Sequence, residues 1–354
     1  MPTPMSRLRL TGLTRAELTD LMIQWGEKPY RAQQLWSWVF VKLADSVEAM
    51  TDLSKPFRVR LAEEIAPLRP RAISHRVSAD GTEKWLLACD DETVMETVFI
   101  PETNRGTVCV SSQVGCSLAC PFCRTGTLPL KRNLTAAEIV EQVTFVRATM
   151  AERGVRVTNV VLMGMGEPLY NLEAVTRAVQ IIKDGNGLAI GCRKLTISTS
   201  GVVSRMAEAG RNLDINLAIS LHSVRDAVRD QLVPINKKFN LAALRQAALA
   251  WPLRGRGRVT WEYVLLDGIN DAPEDARELV LWLRGIPSKV NLLGFNPWPG
   301  APYSPSSRDT ILRFQEIVAN AGIVTIIRDS RGADVGAACG QLAGDADSDD
   351  RKYS

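Results

Sequence analysis

The 354-residue chain, 45% hydrophobic and 23% charged, is long and apolar enough to bury a full-sized core, which excludes disordered, collagenous and disulfide-stapled classes. A formal charge of +4 permits a nucleic-acid partner without demanding one. Seven cysteines against two histidines, with three cysteines inside eight residues, argue against a secreted disulfide framework and make any metal site thiolate-dominated. Met1–Met5 lacks the basic start and apolar run of a leader, and no stretch approaches the roughly 18 apolar residues of a membrane span. The chain therefore reads as cytoplasmic, with no membrane partner.

In chain order, residues 14–65 read as a small helical module, with Thr14 capping Arg15–Gln24 and Leu35, Trp36 and Val39 marking a helix over Arg31–Phe40. From Arg71 the period changes to two. Asp80-Gly81 turns a hairpin between Ser74–Val77 and Lys84–Cys89, and Thr93–Ile100 follows as a third strand. Strand-like runs then recur at Val108–Ser111, Thr158–Met163, Lys194–Ser198, Ile215–Leu221, Val259–Leu266 and Val290–Phe295. They alternate with amphipathic helices such as Ala136–Thr149, Leu172–Ile182 and Pro273–Leu283. Such alternation implies an α/β fold with a parallel sheet, as a partial or complete barrel. The expected division is a helical accessory domain (1–70), an antiparallel connector (71–101), a barrel (102–335) and a C-terminal segment with a loose acidic tail (336–354).

Cys116, Cys120 and Cys123 form a C-x3-C-x2-C motif directly after a predicted strand. Three thiolates bind three corners of a [4Fe-4S] cube and leave one iron open to a substrate. Structural zinc with a remote fourth ligand, a pure electron-transfer cluster and a chance trio of buried cysteines are the rival readings.

This motif after the first barrel strand resembles the radical S-adenosylmethionine superfamily. A narrower resemblance spans nearly the whole chain, to the radical RNA methyltransferases that modify C2 of adenosine. It is carried by Gly26-Glu27-Lys28-Pro29-Tyr30-Arg31-Ala32, Thr107–Cys116, Met163-Gly164-Met165-Gly166-Glu167-Pro168-Leu169, Ser198-Thr199-Ser200-Gly201, Ser220-Leu221-His222, Val233–Lys238 and Ala338-Cys339-Gly340-Gln341-Leu342.

The resemblance implies a partial (β/α)6 barrel and two cofactors, a [4Fe-4S] cluster on Cys116, Cys120 and Cys123 and S-adenosyl-L-methionine bound by Gly166, Glu167, Ser198, Ser220, Leu221, His222 and Asn296. Adenine C2 lies between two ring nitrogens and is too electron-poor to attack a methyl sulfonium. In the implied route Cys339 is methylated by one S-adenosylmethionine, and a deoxyadenosyl radical from a second activates that methyl group. The resulting carbon radical joins C2, and Cys109 attacks the Cys339 sulfur to release the product, leaving a transient disulfide that thiol exchange reduces. Glu96 corresponds to the family's proton acceptor, with Cys109 as a rival base. Cys89 and Cys192 have no assigned role.

The implied substrates are 23S rRNA, at the peptidyl-transferase centre, and tRNA, at the adenosine beside the anticodon. A flavodoxin-type electron donor and a monomeric state complete the expectation. RNA contacts are expected from Lys131-Arg132, Lys237-Lys238 and Arg254–Arg258, helped by Arg31, Trp36 and Trp38. Arg124 and Ser223-Val224 depart from the family pattern. The alternatives are a C8-specific 23S rRNA methyltransferase of the antibiotic-resistance type and a non-catalytic iron–sulfur RNA-binding protein.

Overall fold

The computed structural model describes residues 7–343, so the leader reading at Met1–Met5 and the acidic tail over 344–354 lie outside the described residues. The N-terminal module contains α1 (Arg15–Gln24), α2 (Tyr30–Trp36) and α3 (Lys55–Glu64). Thr14 starts α1 through a reciprocal cap with Glu17, each side chain taking the other's backbone N–H, an arrangement worth roughly 1 kcal/mol. The expected helix to Phe40 instead widens after Trp36 into a turn over Ser37–Val41, where Lys42 N–H reaches back five residues to Ser37 at 2.8 Å. Trp36, expected at an RNA surface, is only 1% exposed. Its indole packs over Gly187, where an added Cβ would stand 2.7 Å from Nε1. The tryptophan therefore belongs to the core that docks the module onto the barrel.

Ten strands form one sheet in chain order: β1 (Ala72–Val77), β2 (Glu83–Ala88), β3 (Val94–Glu102), β4 (Arg105–Cys109), β5 (Asn159–Leu162), β6 (Leu195–Thr199), β7 (Asn216–Ser220), β8 (Val259–Leu265), β9 (Ser288–Gly294) and β10 (Val324–Arg328). The pairings β1–β2, β2–β3 and β3–β4 are antiparallel. All pairings from β4 to β10 are parallel. The connector is thus an extension of the barrel sheet. β4 begins at Arg105, three residues before the sequence expectation, because Arg105–Cys109 pairs with Val98–Glu102. Its far end is closed by Gln142, whose amide exchanges hydrogen bonds with the Ser111 N–H at 2.7 Å and the Ser111 carbonyl at 3.0 Å.

The expected crossover helices appear as α4 (Ala136–Ala151), α5 (Leu172–Lys183) and α9 (Pro273–Leu283), with α6 (Val203–Leu213), α7 (Asp226–Leu232) and α8 (Leu241–Leu249) between α5 and α9 and α10 (Arg308–Asn320) after them. Strands covered on both faces read as apolar runs. In β8, Trp261 and Tyr263 are fully buried, with Trp261 Nε1–H donating to Ser288 at 2.9 Å and the Tyr263 hydroxyl to the Asn270 carbonyl at 2.8 Å. α10 and β10 form a further β/α repeat that the sequence reading passed over. β10 is the last strand of the sheet, and the chain then runs back to the β1–β2 hairpin. There Gly332 N–H donates to Asp80 at 3.0 Å, Ser78 to Asp334 at 2.6 Å, and Lys84 to the Gly336 carbonyl at 3.2 Å. This strap delivers residues 337–343 over the carboxyl ends of the barrel strands.

Candidate active site

The cysteine loop is folded by close backbone contacts. Gly115 sits at φ +80°, and an added Cβ would stand 2.0 Å from the Pro129 carbonyl oxygen. Cys116 N–H donates to the Leu128 carbonyl at 3.3 Å, Cys123 N–H to Cys120 at 3.1 Å and Gly126 N–H to Cys123 at 2.9 Å. The three cysteines line one cavity of about 170 Å³. Burial raises each thiol pKa, and charges on neighbouring cysteines add to the rise at Cys116, which reaches about 11 in all, and at Cys120. The raised pKa values keep the three groups as thiols until a cationic partner binds and stabilises the thiolate form. Among the described residues no three His, Cys, Asp or Glu side chains gather as the ligands of a single metal ion. A cubane spreads its ligands over three irons, so this donor set fits an iron–sulfur cluster better than a zinc ion. Gly115→Ala is expected to lower iron content per chain at least several-fold after anaerobic reconstitution, because neither the left-handed backbone nor the Pro129 carbonyl has room for a methyl group. Iron loading equal to wild type would refute this account of the loop.

Gly166, Glu167, Ser198, Ser220, His222 and Asn296 line the same cavity from the carboxyl ends of the strands, the end where β/α barrels hold ligands. Gly166 has φ +93° and lies against Gln113, where an added Cβ would stand 2.4 Å from Cβ of that residue. Glu167 is 1% exposed, and its carboxylate accepts from Ser200 N–H at 2.8 Å and Leu169 N–H at 3.1 Å. Burial still pushes its carboxyl pKa up to about 7, so an entering ammonium group would restore its charge. His222, at φ +59°, accepts Val264 N–H on Nδ1 at 3.0 Å, and burial lowers its pKa to about 3. The neutral ring therefore carries its proton on Nε2, available as a donor. Leu221 does not line the cavity. Its side chain is fully buried, while its backbone N–H donates to the Glu262 carbonyl at 2.9 Å.

An adjoining cavity of about 90 Å³ brings Cys109 and Cys339 together beside Cys123. Burial and the charge of Cys339 push the Cys109 thiol up to about 12, and Arg328 opposes this. The segment around Cys339 is more firmly held than its small residues imply. Asn296 donates to the Cys339 carbonyl at 3.3 Å, Arg124 N–H to Gly340 at 2.7 Å, Thr125 to Leu342 at 2.6 Å and Gln341 to Pro297 at 3.0 Å. Glu96 is not brought into either cavity. One of its oxygens meets Lys84 Nζ at 3.0 Å and the other accepts Ala343 N–H at 2.8 Å, so in this conformation it anchors the strap.

The basic residues divide between two ends. Lys237 and Lys238 are exposed beside Ile235, which shares an apolar cluster with Leu118 and Cys120 at the cavity end. Arg132 is held by Asp91 at 2.5 Å and Glu138 at 2.7 Å, a structural network rather than a free RNA contact. Arg254, Arg256 and Arg258 precede β8 and border a separate cavity of about 700 Å³ at the amino end of the strands, which none of Cys109, Cys116, Cys120, Cys123 and Cys339 lines; Arg254 Nη1 there donates to Cys192 Sγ at 3.1 Å. Trp38 is half-buried, with Lys42 3.5 Å above its ring.

Three site residues escaped the sequence reading. Arg229 is fully buried and ties together Leu221, Ser220, Ser200 and Asn236. Glu262 and Arg328 line the cavity from β8 and β10. The β-branched run Val324–Ile327 and the Ser307 cap of α10 were the signals available for β10.

Fold and cavity together define a radical S-adenosylmethionine enzyme, and residues 110–280 match the radical SAM superfamily. Residues 8–66 match the ribosomal RNA large subunit methyltransferase N-terminal domain. The chain is 59% identical over 345 residues to the dual-specificity RNA methyltransferase RlmN of Magnetococcus marinus, covering 97% of this chain and 96% of that one. It is 50% identical to the protein of the same name from Rhodopseudomonas palustris, with 96% and 90% covered. A crystal structure of a radical SAM methyltransferase from Sphaerobacter thermophilus matches with a TM-score of 0.92 at 42% identity, covering 97% of this chain and all of that one. The chain belongs to the RlmN family of dual-specificity RNA methyltransferases. Among the described residues no helix is long and apolar enough to cross a membrane.

Proposed function

We propose that this enzyme methylates C2 of adenine in 23S rRNA and in tRNA, using Cys339 as methyl carrier and Cys109 as resolving thiol. The observation that carries the reading is the convergence of Cys109, Cys339 and the Cys116, Cys120, Cys123 trio on two adjoining cavities. In this reading the trio holds a [4Fe-4S] cluster, and the wall from Gly166 to Asn296 holds S-adenosyl-L-methionine. Bound there, the pair supplies one-electron cleavage of a sulfonium bond.

The protein's own groups do the rest. Glu167 receives the ammonium group, His222 donates from Nε2, and Cys339 presents its sulfur to the substrate. Glu96 takes the C2 proton once it has released Lys84 and the Ala343 amide, and Cys109 is the competing acceptor. Lys131, Lys237, Lys238 and the Arg254–Arg258 turn contact phosphate. The proposal includes a flavodoxin-type electron donor, a monomeric enzyme and a cytoplasmic location.

Anaerobically reconstituted enzyme, given S-adenosylmethionine, reductant and an RNA transcript, is expected to yield 2-methyladenosine by nucleoside mass spectrometry. Formation of 8-methyladenosine alone would reject the C2 assignment.

Glu167 also sets a pH dependence. Its native pKa of about 7 exceeds the ordinary 4.5, so across that window the folded state binds more protons than the unfolded state. Stability from this group therefore falls as pH rises from 4.5 to 7 and stays low above. In cluster-free protein, the stability of wild type relative to Glu167→Gln should drop by roughly 3 kcal/mol over that range. A difference that does not vary with pH would refute the burial argument.

A further inference from the structure

One buried acceptor in the cavity wall has no hydrogen-bond partner among the described residues. Glu262 is 6% exposed; its Oε1 accepts from Asn291 Nδ2 at 2.9 Å, and its Oε2 has no partner. Arg328 Nη1 stands 4.0 Å from Oε2, close enough to offset its charge and too far for a hydrogen bond. In the sheet Glu262 lies opposite Ser220 on one side and Asn291 on the other, and it lines the main cavity. A buried carboxylate oxygen left without a donor, on a side chain that lines a cavity, is an acceptor a ligand can satisfy once it enters.

Charge divides the cavity into two ends. Glu167 acts on Cys116 and Cys120, whereas Glu262 and Arg328 act on Cys339, and Arg328 also on Cys109. Glu262 thus lines the cavity together with Arg328 and Cys339, the thiol proposed as methyl carrier.

We propose that Glu262 Oε2 accepts a hydrogen bond from the exocyclic amine of the substrate adenine and so selects adenine over 6-oxopurines. This rests on the reading of the protein as an RNA adenine methyltransferase. Adenine presents N–H donors at C6, whereas guanine and hypoxanthine present a carbonyl there, whose lone pairs would face the carboxylate. Asn291 is a positioning residue that fixes the carboxylate rotamer. Arg328 offsets its charge without occupying the acceptor.

The test uses cluster-loaded enzyme and a stem-loop RNA carrying adenosine or purine riboside, which lacks the amine, at the target position. Single-turnover methylation by wild type is expected to fall roughly 10- to 100-fold on loss of the amine, as for a hydrogen bond to a charged group. Glu262→Gln should lose a similar factor on adenosine and little further on purine riboside. The four rates form a cycle in which the different ring electronics of the two bases cancel. Equal rates of wild type on both RNAs would overturn the proposal even if the variant failed to fold. An unchanged adenine preference in Glu262→Gln would also overturn it, and with weakened S-adenosylmethionine binding would assign the carboxylate to the cofactor. Failure of wild type to methylate the adenosine RNA would instead reject the underlying reading.

Discussion

Cys109→Ala is expected to leave RNA covalently attached to Cys339 after one turnover. Once a methylene group joins the Cys339 sulfur to the base carbon, a second thiol must attack that sulfur to cleave the carbon–sulfur bond. The sulfur–sulfur bond forms, the displaced electron pair stays with the methylene carbon, and a proton completes the methyl group. Among the described cysteines, Cys109 lines the adjoining cavity with Cys339 and with Cys123, a proposed cluster ligand. Its position on β4, with its carbonyl accepting from Thr97 at 3.0 Å, gives it a rigid seat. Cys339, on the strap, is the partner expected to move, which would break the bonds from Asn296 to its own carbonyl, from Arg124 to Gly340 and from Thr125 to Leu342. The adduct would appear as a slow-migrating, nuclease-sensitive band on a denaturing gel. Methylated Cys339 without any adduct would remove Cys109 from the resolving role, and Cys339→Ala should abolish both adduct and product.

Arg229→Met is expected to cost roughly 3–5 kcal/mol of stability, because truncating a buried charged group leaves its partners unpaired. Arg229 donates from Nε to the Leu221 carbonyl at 3.0 Å, from Nη1 to Asn236 at 2.8 Å, and from Nη2 to the Ser200 and Ser220 carbonyls at 2.7 and 3.1 Å. Burial lowers its pKa to about 10, which leaves it charged at neutral pH, and it is the cation acting on Cys120. One side chain thus ties the ends of β6 and β7 to the loop carrying Asn236, behind the cavity wall that Ser200 and Ser220 line. Arg229→Lys should recover little, since an ammonium cannot reproduce the planar fork. Urea unfolding provides the measure, and a loss below about 1 kcal/mol would contradict this account.

Local chemistry was legible where a few neighbouring residues suffice. Thr14, three residues before Glu17, forms the expected cap of α1, and the structure shows the same reciprocal pattern at Thr135 and Glu138 for α4. The Asp80-Gly81 hairpin and six of the seven parallel strands follow from turn chemistry and apolar periodicity. Trp36 and Arg132 were misjudged because an aromatic or basic residue looks the same in sequence whether it meets RNA, a glycine or two carboxylates.

The sequence by itself determined the alternation that makes a β/α barrel, and a thiolate trio spaced for an iron–sulfur cube. Both depend on residues within a few positions of one another. Only the tertiary structure decided which distant groups meet. Cys109 and Cys339 share a cavity because the strap after β10 crosses back to the β1–β2 hairpin. Glu96 anchors that strap, and Glu262 keeps one unpartnered oxygen while Asn291 on the next strand takes the other. These contacts join residues far apart in the chain, and sheet register and burial, rather than local pattern, determine them.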